Sequence, residues 1–462
     1  MSIKAAFMVP HPPLIVNEIG GSEIDKIKTT LESYERVAKE IGELKPDTII
    51  ISTPHIEMYS NYFHCLQEKR LIGSFKRFGA PNVSFDFEND LELVSKIEDI
   101  CIQKGFPGVL IKDDEKELDH GSMVPLYFIR KYLKDFKLIV VSLSTMPYTR
   151  HYELGQIIKE SVEELNRDAV FVASGDLSHK LQEYGPYGFV EEGPIYDKKI
   201  MEIMSKGDFI KLLEFDDNLC EKAAVCGHRS FIIMSGTLDH VKVKSTMLSH
   251  EDVTGVGYGL CTYYPDGESE DRLILDKYLN NVKNELNEKY KNSSEYVKLA
   301  RKTIFEYIKN GKIIDIDNNI SSELLNQKAG VFVSIHKLGN LRGCIGTILP
   351  VKENIAEEII DNAISAATRD NRFKKITTDE LDYLDINVDV LTSPEPIKSK
   401  DELNVKKYGV IVSSGYKRGL LLPDLDGIDN IDQQVKIAAM KGNIDLDKEE
   451  YKLERFEVKR YK

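Results

Sequence analysis

The chain has no CxxC pair, no Walker loop, no Rossmann glycine fingerprint and no zinc-finger spacing. Its six cysteines (65, 101, 220, 226, 261 and 344) are scattered, which argues against a disulfide framework and for reduced thiols. No apolar run reaches the roughly 18 residues of a membrane-spanning helix. Met1-Ser2-Ile3-Lys4-Ala5 runs straight into a strand, without the basic and apolar regions of a signal peptide. A cytoplasmic protein is expected. A basic excess is missing too: the net charge is −14 and the pI near 5.4, so neither nucleic acid nor an anionic membrane is an expected partner. Histidine all but vanishes from the last 200 residues, which hold His336 alone. Histidine is the commonest metal ligand and acid–base group, so metal chemistry is expected before residue 251.

What is present points to two domains, since 462 residues exceed one ordinary core. A hydrophobic content of 42% with 30% charged residues is that of a globular chain. The apolar run Ile3 to Met8 ends in Val9-Pro10-His11-Pro12-Pro13. Prolines fix φ there and forbid helix, so a strand delivers His11 on a stiff backbone. Apolar periodicity predicts a helix from Ser22 to Leu44, stopped by Lys45-Pro46-Asp47. Thr48 to Ser52 then reads as a buried parallel strand and ends in Thr53-Pro54-His55. This β-α-β unit brings His55 to the same carboxyl end of a sheet as His11, where open α/β sheets bind ligands.

Residues 60–90, rich in aromatics, predict a hairpin or an insert flanking a pocket. Asp119-His120-Gly121 opens a helix, and the buried strand Ala169 to Ala173 ends in Ser174-Gly175-Asp176-Leu177-Ser178-His179. Lys242 to Leu248 reads as an edge strand and Gly255 to Cys261 as a closing one. By residue type, His11, His55, Asp176, His179, Cys226 and His228 could hold Fe, Zn or Mn. Cys220 and Cys261 read as buried apolar residues, and His64, His151 and His240 as surface ones. His250 precedes a turn and could approach the pocket.

Val-Pro-His11-Pro-Pro, Pro-His55, Asp-His120-Gly-x-x-Val-Pro-Leu and Ser-Gly-Asp-Leu-Ser-His179 occur in register. Together they resemble the class III extradiol ring-cleavage dioxygenase catalytic subunit (LigB-like) and its Memo-like branch. The resemblance implies a mixed α/β sheet with helices on both faces. It also implies a non-haem Fe(II) on His11, His55 and a third ligand, acting on a small catechol-like or enolisable substrate. In that pattern His179 matches the acid–base histidine and His120 a second pocket histidine. Asp176 would orient His179 or reach the metal through water. The third ligand departs from the usual carboxylate: Cys226-Gly227-His228 resembles the Memo-like Cys-Gly segment, while Glu221 would restore the carboxylate if its loop turned inward. A thiolate admits Zn or Cu as well as Fe.

The acidic stretch Pro265 to Asp271 marks a boundary, giving domains at 1–264 and 291–462 with a linker and helix at 265–290. The second domain carries Leu341-Arg342-Gly343-Cys344-Ile345-Gly346. Its glycines permit close approach of a ligand or tight packing. Arg342 could activate the Cys344 thiol, bind an anion, or sit in a structural ion pair. Arg369, Asp370 and Arg372 could line the same cleft or form a solvated helix end. With Ala366 to Phe373, Leu391 to Glu395 and Gly419 to Pro423, these residues resemble the AMMECR domain, a smaller α+β unit. The pairing resembles the set called AmmeMemoRadiSam and implies a radical-SAM protein as partner. A metal-dependent oxidoreductase is thus expected. The alternatives are a non-catalytic metal-binding scaffold and a Cys344-based modifying protein, either presenting substrate to that partner.

Overall fold

A computed structural model describes residues 2–108, 117–317, 319–425 and 427–462. It divides into two compact units, Met1–Tyr278 and Leu279–Lys462. The first contains β1 (Ile3–Val9), β2 (Thr48–Thr53), β3 (Arg70–Phe75), β4 (Ala80–Glu88), β5 (Lys137–Ser142), β6 (Ala169–Ser174), β7 (Val241–Glu251) and β8 (Tyr258–Glu268). The main sheet runs β5-β2-β6-β1-β8-β7; its first four strands are parallel, β8 is antiparallel to β1, and β7 is antiparallel to β8. Every residue of β2 and β6 is buried, as their unbroken apolar runs demand of strands covered on both faces.

The cover on one face includes the helices Lys28–Leu44 and His120–Ile129, whose Tyr34, Val37, Ile41, Val124 and Phe128 join Phe7, Ile49 and Ile51 in one core. On β1, β2 and β6 also packs the helix His228–Thr237, against which Tyr148–Glu164 lies. Gly155 and Gly236 let these two helices cross at close range: a Cβ on either would strike a carbonyl oxygen of the other helix. β3 and β4 form a separate hairpin turned by Gly79 at φ +83°.

Register places the site. Val9 pairs with Ser174 and Ser52 with Ala173, so the carboxyl ends of β1, β6 and β2 stand side by side. His11, Asp176 and His55 follow these ends within three residues. The acidic residues Pro265 to Glu268, expected to begin a linker, instead continue β8, because β7 reaches back to Val241 and Val243 to pair with them.

The second unit contains β9 (Gly330–Lys337), β10 (Asn340–Gly346), β11 (Leu384–Leu391), β12 (Glu395–Ile397), β13 (Tyr408–Ser414), β14 (Lys417–Leu421) and β15 (Lys452–Tyr461). They run in the order β10-β9-β11-β15-β13-β14, with β12 also on β15. The helices Glu295–Asn310 and Ile355–Thr368 bury Ile304, Ile359 and Ala363 with Val331, Val333, Ile386 and Val388. Among the described residues, no helix is long and apolar enough to cross a membrane.

Candidate metal centre

His11, His55 and Cys226 each turn one ligand atom toward a common point, the three atoms lying within 4.8 Å of one another. His11 Nε2 stands 2.9 Å from His55 Nε2 and 3.6 Å from Cys226 Sγ. Ligands about 2.0–2.3 Å from one ion make such edges at angles of about 90° and about 110°. Two imidazoles and a thiol therefore fit a transition metal in size as well as in chemistry.

The surrounding hydrogen bonds fix the His11 tautomer. Ser174 Oγ–H donates to the Gly121 carbonyl at 2.6 Å, so the Ser174 oxygen accepts from His11 Nδ1–H at 2.9 Å. Nε2 is then left with its lone pair directed at the other two donors, as a metal-binding imidazole requires. The Tyr34 hydroxyl holds the Pro10 carbonyl, and Asp176 Oδ1 accepts the His11 backbone N–H at 2.7 Å. Burial, then the neighbouring His120 and His179, hold the His11 imidazole well below its ordinary range and keep it neutral.

Cys226 arrives by a loop-to-loop contact. A Cβ on Gly175 would collide with the Cα of Gly227, so only glycine lets the β6 loop touch the cysteine loop. Gly227 N–H donates to the Asp176 carbonyl at 3.0 Å, and Asp176 N–H donates to Cys226 Sγ at 3.2 Å. Burial and then the Asp176 carboxylate push the thiol well up. Cys226 would be held as the thiolate by a bound cation, because metal ligation stabilises that form.

His120 opens its helix behind Asp119, whose carboxylate accepts from Ser122 N–H, Ser122 Oγ–H and Thr53 Oγ1–H. Its ring lies 4.1 Å from that of His55 and 5.4 Å from that of Phe78. Beside them opens a cleft of about 590 Å³ lined by His55, His120, Phe78, Met123, Ile56 and Arg77, among others. His179 packs on Tyr187 at 5.2 Å, and its buried Nδ1 has no hydrogen-bond partner among the described residues.

Other candidates stand elsewhere. Glu221 is exposed on the short helix Asp217–Lys222, outside the ligand group, so it does not supply the carboxylate that family resemblance would demand. His228 turns into the core, its Nδ1 3.1 Å from the Tyr196 hydroxyl and its Nε2 3.2 Å from the Leu212 carbonyl. His64 and His151, expected at the surface, are buried. Cys220 and Cys261 are buried as expected. Phe78 comes from the aromatic segment 60–90 expected to form a hairpin or flank a pocket, whereas the roles of Ser174 and the Gly121 carbonyl escaped sequence reasoning, since their partners come from distant segments.

In the second unit the glycine motif serves packing. A Cβ on Gly343 would collide with the Ala366 carbonyl oxygen, so β10 lies directly on the helix Ile355–Thr368 and Gly343 offers no ligand cradle. Arg342 does not serve the thiol: its Nε and Nη2 donate to the two Glu380 oxygens at 3.0 and 2.9 Å, and Nη1 and Nη2 to the Lys374 and Lys375 carbonyls. Cys344 Sγ instead lies 3.2 Å from Ser334 Oγ, and the Cys344 backbone is bound by Asp370 and Arg372. Arg369 ends the helix, exposed.

Residues 5–261 match the family described as the catalytic LigB subunit of aromatic ring-opening dioxygenase. The chain belongs to the LigB family. In this chain the LigB domain is followed by AMMECR1, matched over residues 297–461. The protein CA_C1420 of Clostridium acetobutylicum is 42% identical over 470 residues, spanning the whole of both chains. A Thermotoga maritima protein is 49% identical over 168 residues, 36% of this chain and 97% of its own. Among solved structures, PH0010 of Pyrococcus horikoshii is 33% identical with a TM-score of 0.33, covering 36% of this chain and 88% of that one. JW3007 of Escherichia coli K12 is 15% identical with a TM-score of 0.39, covering 56% and 99%.

Proposed function

We propose that the LigB domain is a metal-dependent oxidoreductase of the extradiol type, acting on a small catechol-like or enolisable substrate in the cleft beside His120. The observation that carries this reading is the fixed tautomer of His11, whose Nε2 lone pair faces Cys226 and His55, the last of which lines that cleft. Fe(II) is the ion we assign, with Zn and Cu as competitors for a site containing a thiolate. When bound, it would supply Lewis acidity and one-electron chemistry. His120 lines the cleft and is placed to take a hydroxyl proton from the substrate. His179 shares a turn with Asp176, and its Nδ1, which has no hydrogen-bond partner among the described residues, is the group we assign to a second proton transfer. Phe78, Met123 and Ile56 give the cleft an apolar wall suited to a ring. A radical-SAM protein is the partner we propose, from the resemblance of the LigB and AMMECR1 pairing to the AmmeMemoRadiSam set.

Anaerobic metal analysis tests the reading. Wild type is expected to retain about one Fe(II) per chain, His11→Ala none, and Cys226→Ser less. Catechol with O2 is then the first substrate to try. Absence of stoichiometric metal after Fe(II) reconstitution would reject the proposal.

A further inference from the structure

We propose that Asp197 and His250 are positioning residues for His179, forming a clasp that holds the Asp176–His179 turn from behind. The inference rests on the proton-transfer role given to His179 above. Asp197 comes from the helix Glu192–Lys206 and is buried, an unusual place for a carboxylate without a purpose. Its Oδ1 accepts the Ser178 backbone N–H at 2.9 Å, immediately before His179. Its Oδ2 lies 2.8 Å from His250 Nε2, which reaches in from β7. A Cβ on Gly257 would collide with the same Oδ2, so glycine there makes room for the carboxylate.

The rest of the turn is equally tied. Leu177 N–H donates to the Gly257 carbonyl at 2.9 Å, and Gly257 N–H donates to the Ser178 carbonyl at 2.8 Å. Ser178 Oγ–H and His179 N–H both donate to the Ala223 carbonyl, at 2.9 and 3.1 Å. Ala223 stands three residues before Cys226. One buried carboxylate thus anchors the turn that carries His179, and that turn itself makes the two hydrogen bonds to Ala223. His250 supplies the partner that a buried carboxylate needs. Its neighbour Glu251 is already committed to Thr30, and Asp252 to Gln182.

The test uses the full chain in two forms. In the zinc-loaded form, which is diamagnetic, the ring resonances of labelled histidine are recorded at neutral pH and His179 is assigned with His179→Gln. His250→Ala and Asp197→Asn are expected to displace the His179 resonance, while His250→Gln, which keeps a donor, stays near wild type. In the Fe(II)-loaded form with O2, 4-nitrocatechol is the probe. The first two variants should lose about tenfold or more in kcat with KM within about twofold, the scale of an outer-shell loss. Metal content should not change. An unmoved His179 resonance with unchanged kcat in His250→Ala overturns the clasp. Should that variant fail to fold, the isosteric Asp197→Asn decides the same question. A wild type that binds metal but never turns over 4-nitrocatechol counts against the functional reading, and the resonance still decides the clasp.

Discussion

Each unit sets a half-buried cysteine beside a glycine, and the two thiols keep opposite company. In the LigB unit, Gly227 touches Gly175, and that contact carries Cys226 to two imidazoles from the ends of β1 and β2, the strands on either side of β6. In the AMMECR1 unit, Gly343 touches the Ala366 carbonyl, and Cys344 is left on a strand with a serine hydroxyl as its neighbour. A glycine next to a cysteine thus announces close approach without saying of what. The histidines decide: three donors converge in the first unit, and no such group exists around Cys344 among the described residues.

The sharpest way to break this contrast is His11→Ala. Removing the lone pair between His55 and Cys226 should abolish stoichiometric metal retention, read by elemental analysis of anaerobically purified protein. Retention at the wild-type level would mean that the metal sits elsewhere and that the thiol geometry is incidental. Ser174→Ala comes next. It leaves all three ligands in place but removes the acceptor that fixes the His11 tautomer, so metal affinity should fall about 10–100-fold. Competition with a chromophoric chelator would measure it.

Some of this was legible in the sequence, for identifiable reasons. His11 and His55 could be read because proline-framed histidines ended two apolar runs of strand length, and parallel pairing puts such ends together. Cys226 could be read from its motif, but the Gly175–Gly227 contact that delivers it joins segments 52 residues apart and leaves no local trace. His151 is buried where a surface position is expected, although its spacing carries a signal. It shares a helix face with Leu154, Ile158 and Val162, all buried, so its spacing marked it as a core residue. Arg342 shows the opposite limit. A thiol stands two residues on in sequence, and the arginine's partner in space is Glu380, 38 residues away.

That ion pair sharpens the comparison from the side of the AMMECR1 unit. Burial raises the Glu380 carboxyl, but Arg342, the Thr377 N–H and Lys337 outweigh it and hold the group at about 2. An acid depressed in the folded state contributes stability above its unfolded value near 4.3, and loses it as pH falls through the folded value. Arg342→Ala should cost about 2 kcal/mol at neutral pH, below the cost of breaking a fully buried pair because the site is partly solvated. The unfolding midpoint of the variant should also vary less between about pH 4.5 and pH 2, since less of the depression remains to be lost. Metal content should stay at the wild-type level. A fall in metal with Arg342→Ala would mean that the ion pair and the metal centre are coupled, and the contrast between the two thiols would lose its independence.

Cys344→Ser is the smallest change and the most discriminating for the thiol itself. Cys344 is half-buried, its sulfur shares a weak contact with Ser334, and its backbone is held by Asp370 and Arg372 whatever the side chain. A hydroxyl can make the same contact, so the stability change should stay below about 1 kcal/mol. Metal content and 4-nitrocatechol turnover should both be unchanged, in contrast to Cys226→Ser, where the swap replaces a soft ligand by a hard one. If Cys344→Ser instead removes turnover while metal and stability are kept, the chemistry belongs to the AMMECR1 thiol. The three donors of the LigB unit would then serve to hold an ion that plays no part in it.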